Sequence, residues 1–176
     1  MNTATLITQE EYDHAVFEHD VEYVEGRLIE RPMPTPPHAV MQSFLCYYLV
    51  PKAAPLGLVP MSELRIRTKP DRTRIPDVCL MRGLPPENEV REAPYLCIEI
   101  LSPDDSVTEL LTKIVEYLEM GVEYVWVVDP ESITGEVYTA RGIQRETTGV
   151  FKAGEIEVDL NAVPQRGVSR IATSDV

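Results

Sequence analysis

Hydrophobic positions along the chain recur with a helical period in some segments and with a period of two, or as short solid runs, in others. The first 30 residues predict a helix from about Thr8 to His19, capped by Thr8 with Glu11 three residues on. The strand pair VEYVEGRLIERP follows, turning at Gly26. RPMPTPPHAV carries Pro32, Pro34, Pro36 and Pro37, which predict an extended connector, because proline locks φ and removes a backbone donor. HAVMQSFLCYYLVPKAA then sets Val40, Phe44, Leu45, Tyr48 and Leu49 at helical spacing and ends at Pro51, as a helix packed on a sheet would.

From Leu58 the period switches to two. LVPMSELRIRTK alternates like a half-exposed strand, PDRT makes a turn, and RIPDVCLM reads as a second strand running from polar into apolar sequence. After a loop with Pro85, Pro86 and Pro94, YLCIEIL is a solid apolar run broken only by Glu99, the pattern of a strand buried on both faces. SPDDSVTELLTKIVEYLEMG predicts the clearest helix, with Pro103 near its start, Asp104 and Asp105 at the positive end of its dipole, and Gly121 as the stop. Its apolar stripe is Leu110, Leu111, Ile114, Val115 and Leu118, and Lys113 stands at the edge of that stripe, one turn from Glu109 and Tyr117. VEYVWVVDP gives a further buried strand, so the order strand, helix, strand implies a parallel crossover. Smaller strands GEVYTA and GEIEVDL close the pattern, before a frayed tail at 166–176. The expected fold class is α/β, a central mixed β-sheet flanked by helices, in one domain over residues 1–165.

Composition narrows the function classes. At 176 residues, with 44% hydrophobic and 26% charged residues, the chain can bury a real core and fits a soluble globular protein. It has no apolar run long enough for a membrane span, and its start lacks the basic and apolar regions of a signal peptide, so the expected address is cytoplasmic. Cys46, Cys79 and Cys97 lie in apolar sequence without a CxxC spacing, and His14, His19 and His38 form no paired motif. Buried thiols are expected, and any metal would be held by carboxylates. The net charge of −13, from 16 basic against 29 acidic residues, disfavours non-specific binding to a phosphate backbone. One local excess, Arg65, Arg67, Lys69, Arg72 and Arg74, reads as a solvated strand face in preference to a phosphate-binding strip.

Glu99 is the residue that demands chemistry. An ionised carboxylate alone in an apolar strand costs several kcal/mol, so it must be protonated, paired with a cation or bound to a metal. Asp77, at the polar-to-apolar transition of the preceding strand, would stand beside Glu99 if the two strands pair. Two such carboxylates are commonly reconciled by a divalent ion held through oxygen at about 2.0–2.1 Å. Lys113, from the next helix, can bring a cation near them.

These residues carry a resemblance. PDV at Pro76–Val78, then YLCIEILSP, then TELLTKIVEYLEMGVEYVWVVDP, resembles the Uma2 family of restriction-endonuclease-like proteins, formerly a domain of unknown function, within the PD-(D/E)XK nuclease superfamily. The likeness runs from VEYVEGRL, through His38 after the proline-rich loop, to Asp129. It implies a restriction-endonuclease-like core and a magnesium-dependent (or manganese-dependent) endonuclease acting on DNA, with paired copies cutting two strands as a homodimer. It also implies Asp77 and Glu99 as metal ligands, Lys113 as the residue that positions the attacking water or stabilises charge, and Glu22 as a fourth, weaker member. The superfamily's usual lysine position, two residues after the acid, is Leu101 here, and Lys113 is the lysine that fits a migrated site. Glu109 keeps a charge where the family often has Asp. The Ile100 carbonyl, next to Glu99, is a further candidate metal ligand. Tyr117 and Trp126 read as core, His38 as a loop-orienting hydrogen bonder and Asp129 as a cap on its strand end. The chain's acidity keeps two rivals in view: a nuclease fold with a vestigial site acting through partners, and a structural Glu99–Lys113 ion pair.

Overall fold

The computed structural model describes residues 6–86 and 89–164; the tail expected at 166–176 lies outside them. The chain opens with α1 (Gln9–His14) and the hairpin β1 (Val21–Val24) and β2 (Arg27–Glu30), followed by α2 (Pro36–Ala53). Then come β3 (Leu58–Ser62), β4 (Ile66–Lys69), β5 (Arg72–Arg74), β6 (Val78–Arg82) and β7 (Leu96–Ile100). After α3 (Val107–Met120) the strands are β8 (Tyr124–Asp129), β9 (Thr134–Thr139), β10 (Gly142–Glu146), β11 (Val150–Ala153) and β12 (Ile156–Asp159).

The central sheet has the order β10-β9-β8-β7-β6-β3, mixed because β7 and β8 run parallel while the other neighbours are antiparallel. Alternation sorts its residues onto two faces. Val78, Leu80, Leu96, Ile98, Trp126 and Val128 meet Met41, Leu45 and Leu49 of α2 and the hairpin β11–β12. Cys79, Cys97, Val125 and Val127 meet Ile114 and Tyr117 of α3. A second sheet, β2-β1-β5-β4, lies beside the α3 face, joined to it by Ile66. This is the α/β arrangement expected, a central mixed sheet flanked by helices.

Five expectations need correction. The N-terminal helix keeps its Thr8–Glu11 capping box but stops at His14, not His19. Tyr12 and Phe17 are five residues apart and would face different sides of a helix; leaving it after His14 lets Phe17 reach the Tyr12 ring, with centroids 5.4 Å apart. The proline-rich connector is shorter than expected, because Pro36 and Pro37 form the first turn of α2, where a helix has no use for their missing N–H groups, and Thr35 is its N-cap. Pro51 lies inside α2, in its last turn, and does not end it.

Each long alternating strand is also broken. LVPMSELRIRTK divides into β3 and β4, and RIPDVCLM into β5 and β6, with each half in a different sheet. Glu63 takes φ 54° at the first break, and Pro76 offers no donor at the second. The Glu63 N–H donates to the Asp77 carbonyl at 3.3 Å, so both breaks form one crossing between sheets. Lastly, α3 begins at Val107 behind the cap Ser106, and Leu111 and Val115 of its predicted stripe are 46% and 51% exposed. Its other flank instead buries Glu116, which carries the charge contacts to the second sheet.

Candidate active site

The crossing from β5 to β6 opens a cavity of about 410 Å³ between the two sheets and α3, lined by Glu22, Arg31, His38, Asp77, Glu99, Ile100, Glu109 and Lys113 among others. Each side chain arrives there for a local reason. In the β6–β7 pair Val78 stands opposite Ile98, so the next step of the register sets Asp77 against Glu99. Both are odd-numbered positions on the face that α3 covers, which brings Lys113 and Tyr117 over them. Glu22 comes from β1, whose neighbour β5 ends at Arg74 just before the break.

The acids also terminate the strand ladders. Where β6 has stopped pairing, the Ile100 N–H donates to Asp77 Oδ2 at 2.7 Å. Beyond the end of β5, the Ile75 N–H donates to Glu22 Oε1 at 3.1 Å. The N–H and C=O of one strand residue point to the same side, so the Ile100 carbonyl also lies on the edge that Asp77 occupies.

Charge is balanced in two linked groups. Lys113 Nζ stands 2.8 Å from Glu22 Oε1 and 3.5 Å from Glu99 Oε2. Tyr117 Oη donates to Glu99 Oε1 at 2.8 Å. The Arg31 guanidinium donates to Asp77 Oδ1, and His38 Nε2 lies 3.3 Å from Asp77 Oδ2. Burial raises the Asp77 carboxyl, but His38, Arg31 and the Ile100 N–H outweigh it and hold the group below the usual carboxylate range. Burial pushes Glu99 up to about 7, with Asp77 and Glu22 adding to the rise against Lys113 and Tyr117. Lys113 is raised above an ordinary lysine, because Glu99 and Glu22 outweigh its burial; it stays protonated at neutral pH.

Asp77, Glu99, Lys113, Glu22 and Ile100 are therefore brought to one cavity. Glu22, the weakest member of the predicted set, is the nearest partner of Lys113. His38 is not in a loop but buried in the first turn of α2, and its Nδ1 has no hydrogen-bond partner among the described residues. Arg31 carried no signal in the sequence, and Tyr117, expected as core alone, also holds Glu99. Asp129 behaves as a cap, accepting from the Glu131 and Ser132 N–H groups at 2.9 and 3.3 Å.

The basic segment 65–74 is neither a solvated face nor a phosphate strip, because each cation already has a partner. Arg74 binds Glu22 and Glu116, and Arg72 binds Glu116 and Glu25. Arg67 meets Asp13 and Glu89, Lys69 meets Glu119, and Arg65 stacks 5.5 Å over Tyr12.

Among the described residues, no three His, Cys, Asp or Glu side chains gather in the geometry of a metal site. The oxygens facing the cavity are nonetheless the donors a hard divalent ion takes: the carboxylates of Asp77 and Glu99 and the Ile100 carbonyl. One fact fits such an ion: Asp77 and Glu22 add their negative charge to the burial that raises Glu99. No helix among the described residues is long and apolar enough to cross a membrane.

Comparison with known proteins agrees with the fold. Residues 9–171 match the model of the Uma2 family, described as "Putative restriction endonuclease". A search of curated proteins finds no match. Among solved structures, the chain resembles a "putative nuclease belonging to DUF820" from Anabaena variabilis, with a TM-score of 0.75 and 28% sequence identity, over 88% of this chain and 96% of that one.

Proposed function

The chain belongs to the Uma2 family, and from that premise we propose that it is a metal-dependent endonuclease that hydrolyses phosphodiester bonds in DNA. The observation that carries this reading is the opposition of Asp77 and Glu99 at the end of the β6–β7 pair, with the Ile100 carbonyl on the same edge and Lys113 above. Magnesium or manganese held by those three residues would polarise the scissile phosphate and acidify an attacking water.

The chain's own groups do the rest. Hydrolysis joins the water oxygen to phosphorus and breaks the P–O ester bond, leaving an alcohol and a phosphate monoester. Lys113 stays charged and so serves as a hydrogen-bond donor, orienting the water or meeting the negative charge that grows on the phosphoryl oxygens. Glu22 holds Lys113 in place, itself fixed by Arg74 at 2.9 Å and the Ile75 N–H. Tyr117 orients Glu99, and His38 orients Asp77. A structural Glu99–Lys113 pair alone would need neither Asp77 nor a cavity, and Lys113 lies nearer to Glu22 than to Glu99. Within this reading two copies act on opposite strands as a homodimer, in the cytoplasm, where free thiols such as Cys46, Cys79 and Cys97 persist.

The test pairs a calorimetric manganese titration of the parent and Asp77→Asn with a supercoiled-plasmid nicking assay. Saturable binding lost in the variant, with nicking by the parent, is the expected result. Binding without nicking points to a substrate other than plasmid DNA. No binding moves the reading to a vestigial nuclease fold that works through partners.

A further inference from the structure

Arg31 stands out among the cations of the cavity. It leaves the end of β2, is mostly buried, and donates to Asp77 Oδ1, with Glu63 Oε1 at 3.7 Å. Four carboxylates act on it, from Asp77, Glu99, Glu22 and Glu63. Its guanidinium thus sits in the field that would draw a divalent ion, bound to an oxygen that such an ion would claim.

The other two cations of the cavity are not free to move. Arg74 is fixed through Nε to Glu116 Oε2 at 2.7 Å and through Nη1 to Glu22 Oε2 at 2.9 Å. Lys113 sits between Glu22 and Glu99. Asp77, by contrast, keeps the Ile100 N–H and His38 when Arg31 departs. A guanidinium released there has two parallel donors suited to a phosphate, while Arg74 and Lys113 of the same cavity stay held by carboxylates.

We propose that Arg31 is an exchangeable cation of the site: it neutralises Asp77 in the metal-free protein, yields Asp77 to the divalent ion, and moves onto the phosphate of the bound nucleic acid. This rests on the metal-dependent nuclease reading given above and adds to it the residue that meets the substrate's charge. It also answers the problem of acidity, since the contact is made by a group drawn from the acidic cluster when the metal takes its place.

The test uses the full chain and two binding measurements, neither of which needs cleavage. Manganese is titrated by calorimetry into the parent, Arg31→Gln, Arg31→Lys and Asp77→Asn. A short DNA duplex is titrated in calcium, by fluorescence anisotropy, at several salt concentrations. With the competing guanidinium gone, Arg31→Gln binds manganese about tenfold tighter. It also binds the duplex more weakly, with the salt slope reduced by about 1. Arg31→Lys, still charged, stays near the parent on both measures and guards against a folding defect in the glutamine variant. Manganese binding by Arg31→Gln when the parent binds none supports the exchange in its strongest form. Equal or weaker manganese binding, or an unchanged salt slope, overturns it, while binding by the parent that Asp77→Asn abolishes leaves the metal site standing. Absence of manganese binding in the parent and in Arg31→Gln alike overturns the metal reading and the exchange together.

Discussion

Glu99 concentrates the cost of the site in one side chain. Its pKa of about 7 in the folded protein, against an ordinary 4.5, means that folding takes up a proton between those values. An acid raised in this way makes stability fall as pH rises through that window, because the folded state binds the extra proton. The metal-free protein is therefore expected to lose stability between about pH 5 and 7, and Glu99→Gln, which cannot titrate, to remove that slope. Asp77 does not confuse the measurement, since its pKa is lowered below 3.8 and its stabilising contribution is lost only under more acid conditions. Thermal unfolding of both proteins in chelator across that range checks this; parallel profiles would refute it. Lys113 offers a second test. Lys113→Ala is expected to lower cleavage by at least about a hundredfold with the circular dichroism unchanged, because Glu22 retains Arg74 and the Ile75 N–H. Cleavage at the parent rate would remove Lys113 from the mechanism. At this scale the sequence was most informative where a charge interrupts an apolar pattern, as at Glu99. Arg31 and His38 were illegible as site members, because a cation beside prolines and a histidine ahead of an apolar stripe take their meaning only from the carboxylate that the fold sets against them.

Among the elements, the second sheet and α3 are joined by charge as well as by apolar contact. Arg74 at the end of β5 reaches both Glu116 of α3 and Glu22 of β1, all three buried. Arg72 continues the chain of contacts from Glu116 outward to Glu25. Removing Arg74 takes away the cation that two buried carboxylates share and leaves Glu22 to Lys113 and Glu116 to Arg72, so Arg74→Ala is expected to cost about 3 kcal/mol of stability and to loosen the Glu22–Lys113 contact. Urea unfolding measures the first effect; a loss below about 1 kcal/mol would mean that the group is no better than a surface ion pair. The helix α3, the parallel pair β7–β8 and the β1–β2 hairpin were legible, because period, caps and the Gly26 turn all agreed. The breaks at 63–65 and 75–77 were not: alternation reports which face a residue takes, and the apolar–polar pattern runs on through a crossing from one sheet to another. Strand β10 escaped notice for a related reason, since it is largely exposed and carries little apolar signal.

Over the whole molecule, charge decides how a nuclease of this composition can meet its substrate. A net −13 repels DNA at long range, and the basic segment that might have offset it is consumed by Asp13, Glu22, Glu25, Glu89, Glu116 and Glu119. The proposed contact lies inside one cavity, where the carboxylates must first be neutralised. Binding should then depend on divalent ion and involve few phosphates. In chelator the protein is expected to show no measurable affinity for a short duplex at any salt concentration. In calcium it is expected to bind with a shallow dependence of log K on log salt, a slope between about 0 and −2, because each phosphate neutralised contributes roughly −0.9 and screening of the long-range repulsion works the other way. Fluorescence anisotropy over a range of salt concentrations reads both. A slope near −6, or binding that survives in chelator, would require a broad basic surface, and in the basic segment Arg67, Lys69, Arg72 and Arg74 are already held by carboxylates.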